Sequence, residues 1–360
     1  MAIEQVSVAL SSLRMTGWTS VSIDWDYEAA AQSFELKVTE PEWTQAWDPG
    51  AAVPFLDEEL SIYAGGDLVV TGYIDTYEAN ISTDNHEVTI SGRSKSGDAI
   101  KSHAVHKTGR IEKKKLVDAA NELSKSTGLQ VKFTSDLSLK PIPKIQLARD
   151  DTVFHAVERE ARKQGAALVP QPDGTVKITR PKGDRHAGQL VEGFFPLKSG
   201  RVKFDRSGQH SHIHVRGQRA LGVDEKSLRV EHIELDATIK RISRKIVHLE
   251  GDGDIKLAKK RGKHEVLRQA AKGKVWTPKV SSWRDSTGQL WTPGKLVACR
   301  APRWHIDGDM AIKSVSFSQD LTDGTIADLT MVDPRALGGS KGKGDAGALG
   351  AGGDGKDLDE

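Results

Sequence analysis

WTPKVSSWRDSTGQLWTPGKLVACRAPRWHIDGDMAIKSVSFSQDLTDGTIADLTMVDP, residues Trp276 to Pro334, holds four of the eight tryptophans in the chain. Trp276 is followed at short range by Pro278 and Trp291 by Pro293, and glycine-containing turns separate runs in which apolar and polar residues alternate. A period of two puts successive side chains on opposite faces, so the stretch reads as a β-meander. Nothing in it is arranged for bond-making chemistry, and its expected task is to shape and present a surface.

Outward from the meander, composition narrows the choices. At 360 residues the chain is long enough for two or three domains, each with its own core. Cys299 is the single cysteine, which excludes an internal disulfide and a cysteine zinc site and fits folding in a reducing cytoplasm. MAIEQVSVAL lacks a basic start and a long apolar core, and nowhere do eighteen apolar residues run together, so neither a secretion signal nor a membrane insertion is expected. Charge is unevenly placed. Residues 1–90 carry two basic and sixteen acidic side chains, residues 91–335 carry 47 basic and 29 acidic, and the remainder three basic and five acidic. A chain so polarised can offer its acidic part to the basic part of a neighbouring copy, a head-to-tail contact that closes into a ring when the rotation allows.

Taken in order, the chain begins as β structure. Val21/Ile23/Trp25, Phe34/Leu36/Val38 and Val88/Ile90 alternate as half-buried strands do, and Ala64-Gly65-Gly66-Asp67 is a tight hairpin turn. PEWTQAWDPGAAVPFL, with Pro41, Pro49 and Pro54, reads as a long loop at a sheet edge whose Trp43 and Trp47 form a lid or a docking patch. After residue 98 the spacing predicts a helix over 112–127 stopped by Gly128, a strand over 129–133, a second helix after Asp150-Asp151-Thr152 closed by Gly165, and a hairpin through Gln171–Gly174. This is a small α/β module. KGDRHAG reads as a linker, β character resumes at Gln189, and a basic helix follows GDGD with Leu257, Val266, Leu267 and Ala270 as its apolar positions. The expected fold is α+β and mainly β, divided into 1–100, 101–185, 186–335 and a Gly-rich tail over 336–360 whose composition does not repay ordering.

Few constellations suggest chemistry. His210, His212 and His214 alternate on one predicted strand face and are the metal candidates, although no acid alternates with them. His103 and His106 lack a third ligand, and Asp252 and Asp254 begin a calcium-like loop in which Lys256 takes the next ligand position. No P-loop, GxSxG or HExxH is present. Lys259, Lys260, Arg261 and Lys263 cluster on the basic helix, where they could meet nucleic acid or a neighbouring subunit, but no aromatic residues are interleaved to stack bases. No catalytic residue, cofactor or metal is assigned.

Several blocks, in order, resemble the baseplate hub proteins of Mu-like contractile-tailed phages: Gly17-Trp18, Thr71-Gly72-Tyr73-Ile74-Asp75, Ile90 to Asp98, Val215-Arg216-Gly217-Gln218, Trp283-Arg284 through Gly288 to Gly294, and the closing DGTIADLTMVDP. The resemblance spans nearly the whole chain. It implies two torus-like β-barrel domains with an intervening small α/β module, a homotrimeric ring joining the tail tube protein to the central spike protein among other baseplate proteins, and a channel through which DNA passes. It also implies a virion component synthesised and assembled in the host cytoplasm. Trp18, Trp43, Trp47, Trp283 and Trp291, with the lysines and arginine of the basic helix, are the candidate structural or interface residues. A tailocin or contractile secretion hub and a cell-wall-degrading tail enzyme are the alternatives. Under the hub reading, Trp276/Pro278 and Trp291/Pro293 are expected to anchor barrel edges, because proline withholds the N–H that an edge strand offers.

Overall fold

The computed structural model describes residues 4–10, 13–39, 56–82, 86–218, 228–252 and 255–338. Trp43, Trp47, the proline-rich loop around them and the glycine-rich tail from 339 onward lie outside the described residues. The protein is mainly β, as the alternation predicts. The N-terminal strands are β1 (Val6–Leu10), β2 (Leu13–Met15), β3 (Ser20–Asp26), β4 (Ser33–Thr39), β5 (Glu59–Ala64), β6 (Asp67–Ile81) and β7 (His86–Ser94). The C-terminal ones are β13 (Arg185–Val191), β14 (Leu197–Phe204), β18 (Lys274–Val280), β19 (Leu296–Ala301), β20 (Ile306–Asp320) and β21 (Gly324–Val332).

All thirteen belong to one sheet in the order β14-β18-β21-β20-β3-β4-β7-β6-β5-β1-β2, with β19 joining β13 to β20. The junction is made by the length of β20. Its first half pairs with β19, from Leu296↔Ala311 to Ala301↔Ile306, and its second half pairs with β3, from Ser314↔Asp26 to Asp320↔Ser20. One core follows from one sheet: Ile23, Leu36, Ile62 and Ile90 pack in the same cluster as Trp276, Trp283, Phe317 and Met331. Among the described residues the hydrogen-bonded path is open, ending on β2 and β14.

Two modules interrupt the sheet. The first contains α1 (Gly97–Lys101), β8 (Arg110–Lys114), α2 (Leu116–Thr127), β9 (Phe133–Ser135), β10 (Ile142–Gln146), α3 (Val153–Lys163), β11 (Ala167–Pro170) and β12 (Val176–Thr179). Its core is separate, built on Leu116, Leu123, Phe133, Val153, Val157 and Ile178. Thr152 caps α3 by accepting from the His155 N–H, and Gly128 and Gly165 end their helices with φ of 83° and 68°. The expected start of α2 at residue 112 is corrected to Leu116. Glu112 pairs with Lys144 in a strand, because Arg110–Lys114 finds β10 as a partner. The expected strand over 129–133 likewise begins only at Phe133.

The second module, β15 (His212–Gln218), β16 (Arg229–Leu235), β17 (Arg244–Asp252) and α4 (Ile255–Lys272), is inserted at the tip of the β14–β18 pair. Phe204 pairs with Lys274, and the Asp205 N–H donates to Gly273 at 2.8 Å, closing the neck. Helix α4 differs from its sequence reading. Its buried positions are Ala258, Gly262, Glu265, Gln269 and Ala271, while Leu257 and Leu267 are exposed. Small residues let the helix approach the sheet: a Cβ on Gly262 would lie 2.9 Å from Glu234 Cβ.

Candidate assembly surfaces

Trp283-Arg284-Asp285, one block of the meander, divides three tasks among three neighbouring side chains. Trp283 is fully buried, and its indole N–H donates to the carbonyls of Ile326 at 2.8 Å and Ser318 at 3.1 Å, tying the loop across β20 and β21. Arg284 points the other way. It donates Nε and Nη2 to Glu4 at 3.0 and 2.8 Å, Nη1 to Asp67 at 2.6 Å and Nη2 to the Ala64 carbonyl at 2.7 Å, and these contacts hold it charged. The hairpin glycine is part of the same fit, since Gly65 has φ of 53° and a Cβ there would meet Glu4 and Arg284 at 2.5 and 2.9 Å.

Asp285 accepts from His186 Nδ1 at 2.9 Å, from the Ala187 N–H, and from Thr287 and Gln289. Burial raises its pKa, but those donors win and leave it well below the usual carboxylate range. The expected linker KGDRHAG contains His186. That histidine is instead buried in β13, edge-to-face with Trp291 at 4.9 Å; a lone histidine between Arg185 and Ala187 carries no periodicity that would mark it in the sequence. The Asp–His pair has the makings of a general base, but the Thr292 N–H donates to His186 Nε2 at 3.0 Å. The nitrogen that would take a proton is therefore occupied, and the ring is closed to solvent.

The other sequence candidates scatter. Trp291 is buried and donates to the Ser282 carbonyl, and Trp18 packs half-buried against the main core, so both tryptophans serve packing within one chain. The edge-anchor expectation for Trp276/Pro278 is corrected. Strand β18 lies between β14 and β21, and no pairing with β21 is made at Thr277 and Pro278, with Gly200 opposite the proline. Proline is tolerated there because the ladder is interrupted and the facing residue has no side chain. His212 and His214 lie on β15, His210 precedes it, and among the described residues no group of three His, Cys, Asp or Glu side chains is placed to hold a metal. Lys259, Lys260 and Lys263 are exposed on α4, whereas Arg261 is half-buried and turns toward the first module.

Exposed apolar side chains mark other surfaces. Ile233, Leu235 and Ile246 are 46, 62 and 50% exposed on the face of the β16-β15-β17 sheet opposite α4. Phe194 and Phe195 protrude between β13 and β14, each 67% exposed, beside the terminal strand of the large sheet. No helix among the described residues is long and apolar enough to cross a membrane.

Gly72 and Gly92 explain two of the resemblance blocks. A Cβ on Gly72 would lie 2.0 Å from the Arg93 carbonyl and one on Gly92 2.0 Å from the Tyr73 carbonyl, in the paired stretch that ends at the bulge at Asp75. Comparison with known proteins agrees with this pattern. Residues 5–94 match the family described as Mu phage baseplate assembly protein GpP-like, N-terminal. Residues 96–180 match baseplate hub protein gp44-like, second domain, and 254–338 match Mu phage baseplate assembly protein GpP, fourth domain. The baseplate hub protein gp44 of Escherichia phage Mu is 27% identical over 299 residues, covering 81% of this chain and 77% of that one. In fold, the chain is similar to the 43 kDa tail protein of prophage MuSo2 from Shewanella oneidensis, with a TM-score of 0.79, 24% identity and coverage of 93% and 99%. A tail protein from Neisseria meningitidis MC58 is similar with a TM-score of 0.78, 19% identity and the same coverage. Three matches in chain order, together spanning well over half of the residues, place the chain among the baseplate hub proteins of Mu-like phages.

Proposed function

We propose that three copies of this hub form a ring that joins the tail tube to the central spike, contacts other baseplate proteins and leaves a channel through which DNA leaves the particle. The proposed division is 1–100, 101–185, 186–335 and 336–360, with the α/β insertions projecting from the ring. The supporting observation is that the spans matched as first and fourth domains are sewn into one sheet at β3–β20, so each chain brings a continuous β wall of thirteen strands. A wall of that kind suits a ring segment, because its two parts move together. The role is structural, and assembly takes place in the host cytoplasm before the protein becomes part of the virion. Light scattering on the purified chain is expected to give the mass of a trimer, and negative-stain averages a three-fold ring. A monomer at every salt and protein concentration overturns the proposal.

A further inference from the structure

Helix α3 of the first module and helix α4 of the second face each other across a cleft of 950 Å³. Its charged lining is lopsided: Arg159, Arg162, Lys163, Arg180, Arg261 and Arg268 against Glu28 and Glu158. Some of this charge is neutralised locally. Arg162 pairs with Glu158 at 2.6 Å, Lys163 with Glu160 at 3.0 Å and Arg159 with Asp151 at 3.0 Å. On the α4 side compensation is looser, since Arg261 stands 4.0 Å from Glu265 and Arg268 3.6 Å from Glu28. Burial, then the positive field of Arg261 and Arg268, pushes His264 between them below its ordinary value. Two cationic helix faces held opposite one another gain from an anion between them.

The lining also says what kind of anion. The large aromatic rings at the cleft, Phe154 and Tyr27, are 6% and 3% exposed and offer no face for a base to stack on, which leaves only the smaller imidazoles of His155, His248 and His264 as accessible rings. Leu257 is 44% exposed at its wall, and Leu337 lines the cleft as well. An occupant with carboxylates and an apolar side chain matches both features. The chain itself holds such a segment at the start of β5: Leu56 is 40% exposed and is followed by exposed Asp57, Glu58 and Glu59, within the acidic span of residues 1–90.

We infer that the basic cleft between α3 and α4 receives the Leu56–Glu59 segment of a second copy of this chain, and that this contact sets the order of subunits around the ring. It rests on the ring reading and deepens it. The contact is heterologous, cleft to segment, and therefore repeats from copy to copy until the ring closes.

The test is the mass of the full chain by light scattering at physiological salt, with circular dichroism as the check on folding. Arg162→Glu/Arg261→Glu is expected to weaken trimerisation about tenfold or more, because like charges then face one another. Lys259→Glu/Lys263→Glu makes the same charge change on the solvent side of α4 and is expected to leave the trimer intact. Glu58→Lys reads the contact from its other side and keeps the test decisive if the cleft variant misfolds. Its expected loss is restored when Arg162→Glu/Arg261→Glu is added in the same chain. Trimers unaffected by both the cleft and the Glu58 variants overturn the inference while the ring stands, whereas a monomeric wild type removes the ring itself. Fluorescence anisotropy with labelled duplex DNA is expected to show no difference between wild type and cleft variant. DNA binding lost in the cleft variant, with its mass unchanged, also overturns the inference.

Discussion

A single proton decides the state of His186. Its Nδ1–H donates to Asp285 while Nε2 accepts from the Thr292 N–H, a pattern that only the neutral ring satisfies. Burial lowers the pKa below 6.5, outweighing the pull of Asp285. Because the folded pKa is depressed, the contribution to stability is complete above 6.5 and is lost as pH falls through the folded value. Thermal melting between pH 8 and pH 5, a window set by the ordinary histidine value of about 6.5, is expected to show the melting temperature falling on the acid side. His186→Gln flattens that part of the profile at the expense of about 1–3 kcal/mol at neutral pH, since Asp285 then loses a buried donor. An identical profile in the variant contradicts the assignment. Arg284 is tested by a different substitution. Lys in its place keeps the charge but cannot reach Glu4, Asp67 and the Ala64 carbonyl together, so Arg284→Lys is expected to lose about 2–3 kcal/mol and Arg284→Ala no less. Hydrogen exchange should quicken in β1 and β5, the strands nearest this contact, and unchanged exchange there would show that Glu4 is held by something else.

Helix α4 shows how an element can be found in sequence while its face is misread. The run from residue 255 to 272 has helix-forming composition, but of its four expected apolar positions Leu257, Leu267 and Ala270 are exposed and only Val266 joins the packed side. Packing is set by Gly262, where the helix backbone nearly touches β16, and by Glu265, which Lys245 satisfies at 2.8 Å. Contacts between distant strands of this kind leave no periodic signal. Alanine at position 262 therefore poses two opposed effects. Helix propensity favours it by about 1 kcal/mol, while overpacking against Glu234 Cβ, whose position is fixed by the strand, costs about 1–3 kcal/mol. Net destabilisation of about 1 kcal/mol by urea unfolding is expected for Gly262→Ala, and a stabilised variant would mean that the helix is not seated as closely as the structure shows. The helix ends and the turn of the first module are legible for the opposite reason. Thr152, Gly128, Gly165 and Gln171–Gly174 act on their own neighbours, so their chemistry is complete within a few residues.

At the scale of the molecule, the hidden feature is the continuity of the sheet. Alternation identifies β3 and β20 as strands, yet only the extra length of β20 allows it to pair with β19 and then with β3 along one edge, and sequence period carries no information about partners. The consequence is energetic. Residues 4–94 close their core with side chains of the C-terminal meander, among them Trp283 and Phe317, and without them β3 would expose an unpaired edge seven residues long. A fragment of residues 1–95 is therefore expected to aggregate or remain unfolded when made alone, and to become soluble when co-expressed with residues 96–338. Dispersed amide resonances from the isolated fragment as a monomer would show that the first β region completes its own core, and the β3–β20 pair would then be a contact between two finished domains. If instead the fragment folds only with its complement, the two β spans are halves of one cooperative unit, and a ring made of such units gains its outline from the fold of each chain before any copies meet.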